Sequence, residues 1–111
     1  MPYNVYVIQL KKEVLEEKKF QKANPEYIEG KPCYYVGYTS HSPEERAIIH
    51  RDALRSKKGH PVYSKLCHKY FDRLTKRFQK LNPIRLKKVA LKIEENVALK
   101  LRREGNGVWF N

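Results

Sequence analysis

Two runs dense in β-branched and aromatic residues, YNVYVIQL at 3–10 and CYYVGYT at 33–39, constrain the fold of this chain most. Tyr, Val and Ile at that density suit a pleated strand with at least one buried face. Gly30-Lys31-Pro32 supplies a turn just before the second run. Two strands joined by an excursion predict an antiparallel pair. Residues 11–22 behave differently, being mostly Lys and Glu with Val14, Leu15 and Phe20 interspersed. They predict a short helix that Asn24-Pro25 ends, because the residue before a proline is pushed out of the helical region.

Downstream the signals are mainly helical. Ser42-Pro43-Glu44-Glu45 combines an N-cap serine, proline at the first helical position and a Glu three residues after the cap. This predicts a helix over 43–54. Lys57-Lys58-Gly59 breaks it, and Val62, Leu66 and Tyr70 then recur at helical spacing. Residues 73–78 read either as a continuation of that helix or as an edge strand. Asn82-Pro83 closes the segment, and a last helix is predicted over 83–103. Its stripe is Leu86, Val89, Ala90, Ile93, Val97 and Leu101, and Gly105 is its terminator. The apolar end, Val108-Trp109-Phe110, should be docked. The expected architecture is an α/β fold of the α+β type, a small, mostly antiparallel sheet of three strands flanked by helices.

At 111 residues and 41% hydrophobic content the chain supports one domain with a modest core. Lys and Arg number 24 against 12 Asp and Glu, a net charge of +12. A surplus of that size costs self-repulsion, and a polyanion that releases counterions on binding is the usual reason to carry it. Nucleic acid leads, with an acidic membrane or protein second. Lys57, Lys58, Lys65, Lys69, Arg73, Lys76 and Arg77 are the predicted phosphate-backbone contacts, although such runs often only solvate a face. No run approaches the roughly 18 apolar residues of a membrane span, and the first ten residues lack the features of a secretory signal. A cytoplasmic protein is expected. Cys33 and Cys67 have no metal-ligand spacing and read as reduced core thiols.

Val5-Tyr6-Val7 and Tyr35-Val36-Gly37, then Thr39, then Arg46 and His50 on the capped helix, then Ala90-Leu91-Lys92-Ile93-Glu94, and finally Trp109-Phe110-Asn111 form an ordered series. Together they resemble the half-motifs, helix, acidic segment and closing residues of the GIY-YIG nucleases. The resemblance covers all but residues 11–32, which look like an insertion whose lysines could widen a DNA-contacting surface. Asn4 stands where the first half-motif has glycine, and neither departure removes a reacting group. Alone, each residue has a bland reading: Tyr6 and Tyr35 as cross-strand tyrosines, Arg46, His50 and Glu94 as ordinary helix residues. His41, His60 and His68 keep that reading.

Spacing adds to the likeness. Arg46 and His50 are one helical turn apart and share a face. At about 100° per residue, Glu94 lies at the edge of the apolar stripe, whereas Glu95 points to solvent. The resemblance implies a divalent-metal-dependent endonuclease that hydrolyses phosphodiester bonds in DNA, branched or nicked DNA included. Glu94 would hold a single Mg²⁺ or Mn²⁺, since hard cations favour carboxylate oxygens. Arg46 would bind the scissile phosphate, and Tyr6 or Tyr35, with Tyr6 preferred, would orient or deprotonate water. His50 would position phosphate or accept the tyrosine proton, with Gly37, Thr39 and Asn111 in support. The rival readings are a non-catalytic nucleic-acid-binding module on the same scaffold and an RNA-directed nuclease.

Overall fold

The computed structural model describes residues 2–110. Strands β1 (Asn4–Leu10), β2 (Cys33–Thr39), β3 (Phe71–Leu74) and β4 (Gly107–Phe110) form one sheet in the order β3-β1-β2-β4. The predicted pair is present, with β1 antiparallel to β2 and Tyr6 opposite Gly37. β3 pairs antiparallel with β1, and β4 runs parallel to β2. The sheet has four strands rather than the expected three because the docked C-terminal run is itself a strand. β1 and β2 are central, which explains their near-continuous apolar sequence: each is buried on both faces.

Helices α1 (Lys18–Ala23), α2 (Pro43–Arg51), α3 (Lys65–Lys69) and α4 (Lys87–Arg103) cover the sheet. On one face Tyr6, Ile8 and Tyr35 pack with Ala47 of α2 and Leu66 of α3, and on the other Val5, Val7 and Val36 pack with Ala90, Val97 and Leu101 of α4. α4 starts at Lys87, not at residue 83, because Ile84 exchanges backbone hydrogen bonds with Tyr3 at 2.7 Å each way and Leu86 is still extended. Leu86 accordingly lies outside the buried stripe, 60% exposed, and Val89, in the first turn of α4, is 43% exposed. The choice left open for residues 73–78 resolves as a short strand starting at Phe71, after which Thr75 still donates its N–H to Val7 at 2.9 Å.

Residues 11–32 form a 3-10 turn over Lys12–Glu16 followed by α1, and they belong to the core. Val14 and Phe20 are fully buried, and Phe20 packs so closely on Gly107 that a Cβ there would come within 2.8 Å of its ring. The Asn24 amide accepts from the Val108 N–H at 2.7 Å and donates back to the Val108 carbonyl at 3.0 Å, tying the segment to β4. This stretch holds the sheet together, so it is more than a lysine-bearing appendage.

The α2 cap forms as its residues dictate: Ser42 Oγ accepts the Glu45 N–H at 3.1 Å and donates to the Glu45 carboxylate at 3.1 Å. Ser42→Ala is expected to cost about 1 kcal/mol, read as a lower urea midpoint with an unchanged slope. No helix among the described residues is long and apolar enough to cross a membrane.

Candidate active site

Tyr6, Tyr35 and His50 meet beneath α2, each at most 1% exposed. The Tyr35 and His50 rings are edge to face at 5.2 Å, and Tyr6 and Tyr35 stand 6.2 Å apart. α2 contributes Arg46 and His50 from one face, as their spacing requires. Gly37 is needed here for close approach: its missing side chain leaves room for the Tyr6 phenol, since a Cβ would stand 2.5 Å from Tyr6 Cζ.

The hydrogen bonds fix the proton positions around Tyr6. His50 Nδ1 accepts the Ser64 backbone N–H at 3.0 Å. Burial, with the nearby Arg46 charge, holds the imidazole down to about 4, so the ring is neutral near pH 7. A neutral ring that accepts at Nδ1 carries its hydrogen on Nε2. Nε2 therefore donates to the Tyr6 hydroxyl oxygen, 2.9 Å away. His50 is thus neither phosphate-positioning, being wholly buried, nor placed to take the Tyr6 proton. It is a fixed donor to Tyr6. His68, read as bland, steadies the end of α2 by donating from Nδ1 to the carbonyls of His50 and Arg51 at 3.1 and 3.0 Å.

Burial and the neighbouring Tyr35 push the Tyr6 phenol well above its ordinary 10, against the opposing pull of the Arg46 guanidinium. Tyr6 is a phenol at neutral pH. With His50 donating to its oxygen, its own hydrogen is left to donate outward, which suits stabilising negative charge better than removing a proton from water. Arg46 is half-buried and anchored to the Val62 carbonyl at 2.7 Å.

Tyr6 and Arg46 form one wall of a 480 Å³ cavity lined also by Tyr3, Tyr38, Thr39, Ser40, His41 and Lys87. The Thr39 hydroxyl accepts the His41 N–H at 3.0 Å, and Asn4 holds the His41 carbonyl at 2.9 Å, so the loop beyond β2 is braced. Nothing in the sequence singles out Tyr3, Tyr38 and Lys87. Their one signal is position: they flank β1, end β2 and begin α4, and only the topology gathers them. α4 opens with Lys87 and Lys88, has no acidic residue in its first turn and no side-chain cap. That concentrates positive charge where the helix dipole is already positive.

Glu94 does not join Tyr6. It lies under α4, on the opposite face of the sheet, 2% exposed and beside the Tyr38 backbone N–H. Burial pushes its carboxyl up to about 7. Its Oε2 is the one buried side-chain oxygen or nitrogen among the described residues without a hydrogen-bond partner. Glu95 is exposed and pairs with Lys92 at 3.5 Å, as the helical angle requires. Among the described residues no three His, Cys, Asp or Glu side chains cluster for a metal. An orphaned carboxylate oxygen is the type of donor a hard cation favours, but it is enclosed, so an ion held there would have shed most of its waters.

The seven predicted phosphate contacts are all exposed but do not share one face. Lys69 is engaged with Glu17 at 3.2 Å, and Arg77 lies 5.3 Å over the ring of Tyr34, on the α4 side. Asn111 lies outside the described residues. Cys33 and Cys67 are free and buried. Comparison of the chain with protein-family models, with curated proteins and with solved structures finds no match.

Proposed function

We propose that this chain is a phosphodiester-hydrolysing nuclease acting on nucleic acid, DNA foremost, at the cavity that Tyr6 and Arg46 wall. The observation that carries the reading is the Tyr6 hydroxyl, held by a neutral His50 at 2.9 Å beside the Arg46 charge and turned toward a cavity that also holds Lys87. A phosphodiester brings a permanent negative charge and gains more during attack by water. Arg46 and Lys87 bind its non-bridging oxygens, and the Tyr6 phenol donates a hydrogen bond to the oxygen on which charge accumulates. His50 keeps that phenol aimed, and Tyr35 packs against both rings. Glu94, through its orphaned Oε2, is the residue that would hold a divalent cation, Mg²⁺ or Mn²⁺. Such an ion supplies charge neutralisation and a more acidic water.

Glu94 stands on the other sheet face from Tyr6, and that favours a second reading, a binding module without turnover. Incubation of the protein with branched DNA and Mn²⁺ separates the two. The nuclease reading expects cleavage that chelation stops and Glu94→Gln abolishes, with binding retained. Independently of turnover, Mn²⁺ is expected to raise the melting temperature of the unsubstituted chain near pH 8 and leave Glu94→Gln unmoved. Binding without cleavage would leave the module; cleavage surviving Glu94→Gln would remove the metal assignment.

A further inference from the structure

The cavity is lined from both faces of the sheet. Tyr6 and Arg46 reach it from the α2 side, Tyr38 and Lys87 from the α4 side, so it curls around the shared end of β1 and β2. One phosphate can therefore meet both cations, with the neighbouring nucleotide lying against the α4 side of the cavity.

Tyr3 and Tyr38 stand on the α4 side of this cavity, half-buried, with ring centroids 6.3 Å apart and planes at 51°. Both rings pack on the α4-side core and keep part of their surface exposed. A partly exposed aromatic pair beside two cations in one cavity is the combination by which proteins hold unpaired bases.

We infer that Tyr3 and Tyr38 are a stacking platform for an unpaired base next to the phosphate held by Arg46 and Lys87, so that the substrate class is single-stranded or flapped DNA and not intact duplex. This deepens, and rests on, the nuclease reading of the same cavity.

Anisotropy titrations in chelator, with labelled oligothymidylate and a hairpin duplex of equal charge, test it without turnover. The single strand should bind at least tenfold more tightly than the duplex. Tyr38→Ala and Tyr3→Ala should each cost the single strand about tenfold, leave the duplex nearly unchanged and preserve the salt slope. Tyr38→Phe should keep the affinity because it keeps the stacking face. An oligonucleotide in which abasic sites replace the bases should show the same loss with the unsubstituted protein, so the test stands even where an alanine variant fails to fold. Equal affinity for the two DNAs, or no penalty for abasic sites, overturns the platform alone. Failure of every nucleic acid to bind overturns the platform and the nuclease reading together.

Discussion

Gly37→Ala is expected to reduce cleavage at least a hundredfold while leaving a folded chain. An added Cβ would meet the Tyr6 hydroxyl and lie 2.5 Å from Cζ and 3.0 Å from Cε1. Tyr6 is 1% exposed and hemmed by Tyr35 and His50, so the ring has little room to retreat. The clash should resolve by moving the phenol off the His50 Nε2 hydrogen. Displacement of a positioned group by about 1 Å costs on the order of a hundredfold in rate, and overpacking costs about 1–3 kcal/mol of stability. Backbone freedom is not at issue, since Gly37 is not among the glycines with positive φ. Single-turnover cleavage alongside a urea melt checks both parts. A variant that cuts at the original rate would mean that the Tyr6 phenol is dispensable.

Glu94→Gln is expected to reshape the pH dependence of stability. Glu94 is pushed up to about 7 from an ordinary 4.5, so between those values the folded chain binds more protons than the unfolded one, and stability falls as pH rises. Above pH 7 the ionised, buried carboxylate leaves a penalty on the order of 3 kcal/mol. His50 acts with the opposite sign. Held down to about 4 from 6.5, it adds stability as pH climbs through that interval and loses it as pH falls. The two contributions nearly offset each other where their windows overlap. Glu94→Gln removes only the first, so its stability should climb through the His50 window and stand above that of the unsubstituted chain at about pH 8. The amide's unpaired hydrogens cost something at every pH. The advantage at about pH 8 minus that at about pH 4 is free of this cost and should be on the order of 3 kcal/mol. Urea midpoints across pH measure it. Identical curves would mean that Glu94 ionises as freely folded as unfolded.

Several of these features were legible from residue spacing. The run of β-branched and aromatic residues specified β1 and β2, and the angle between Glu94 and Glu95 specified which of them is buried. The pairing of Arg46 with His50 followed from one helical turn. Other features depend on long-range pairing. β4 is four residues long and lies parallel to β2, so no local turn announced it. Residues 11–32 look charged along the chain, yet the two that matter, Val14 and Phe20, disappear into the core. Leu86 fitted the helical stripe by number but sits before the helix begins. The role of His50 could not be read from its identity, because the Ser64 N–H sets its tautomer from fourteen residues away.

The central claim is that the Tyr6 hydroxyl, held by His50 and flanked by Arg46, takes part in cutting a phosphodiester bond. The most direct measurement is single-turnover cleavage of flapped DNA with Mn²⁺ by the unsubstituted chain and by Tyr6→Phe, which keeps the ring and removes only the hydroxyl. The account predicts cleavage by the former and a loss of at least a hundredfold in the latter, with DNA affinity changed by less than about threefold. Equal rates in the two proteins, or no cleavage by the unsubstituted chain, would contradict it.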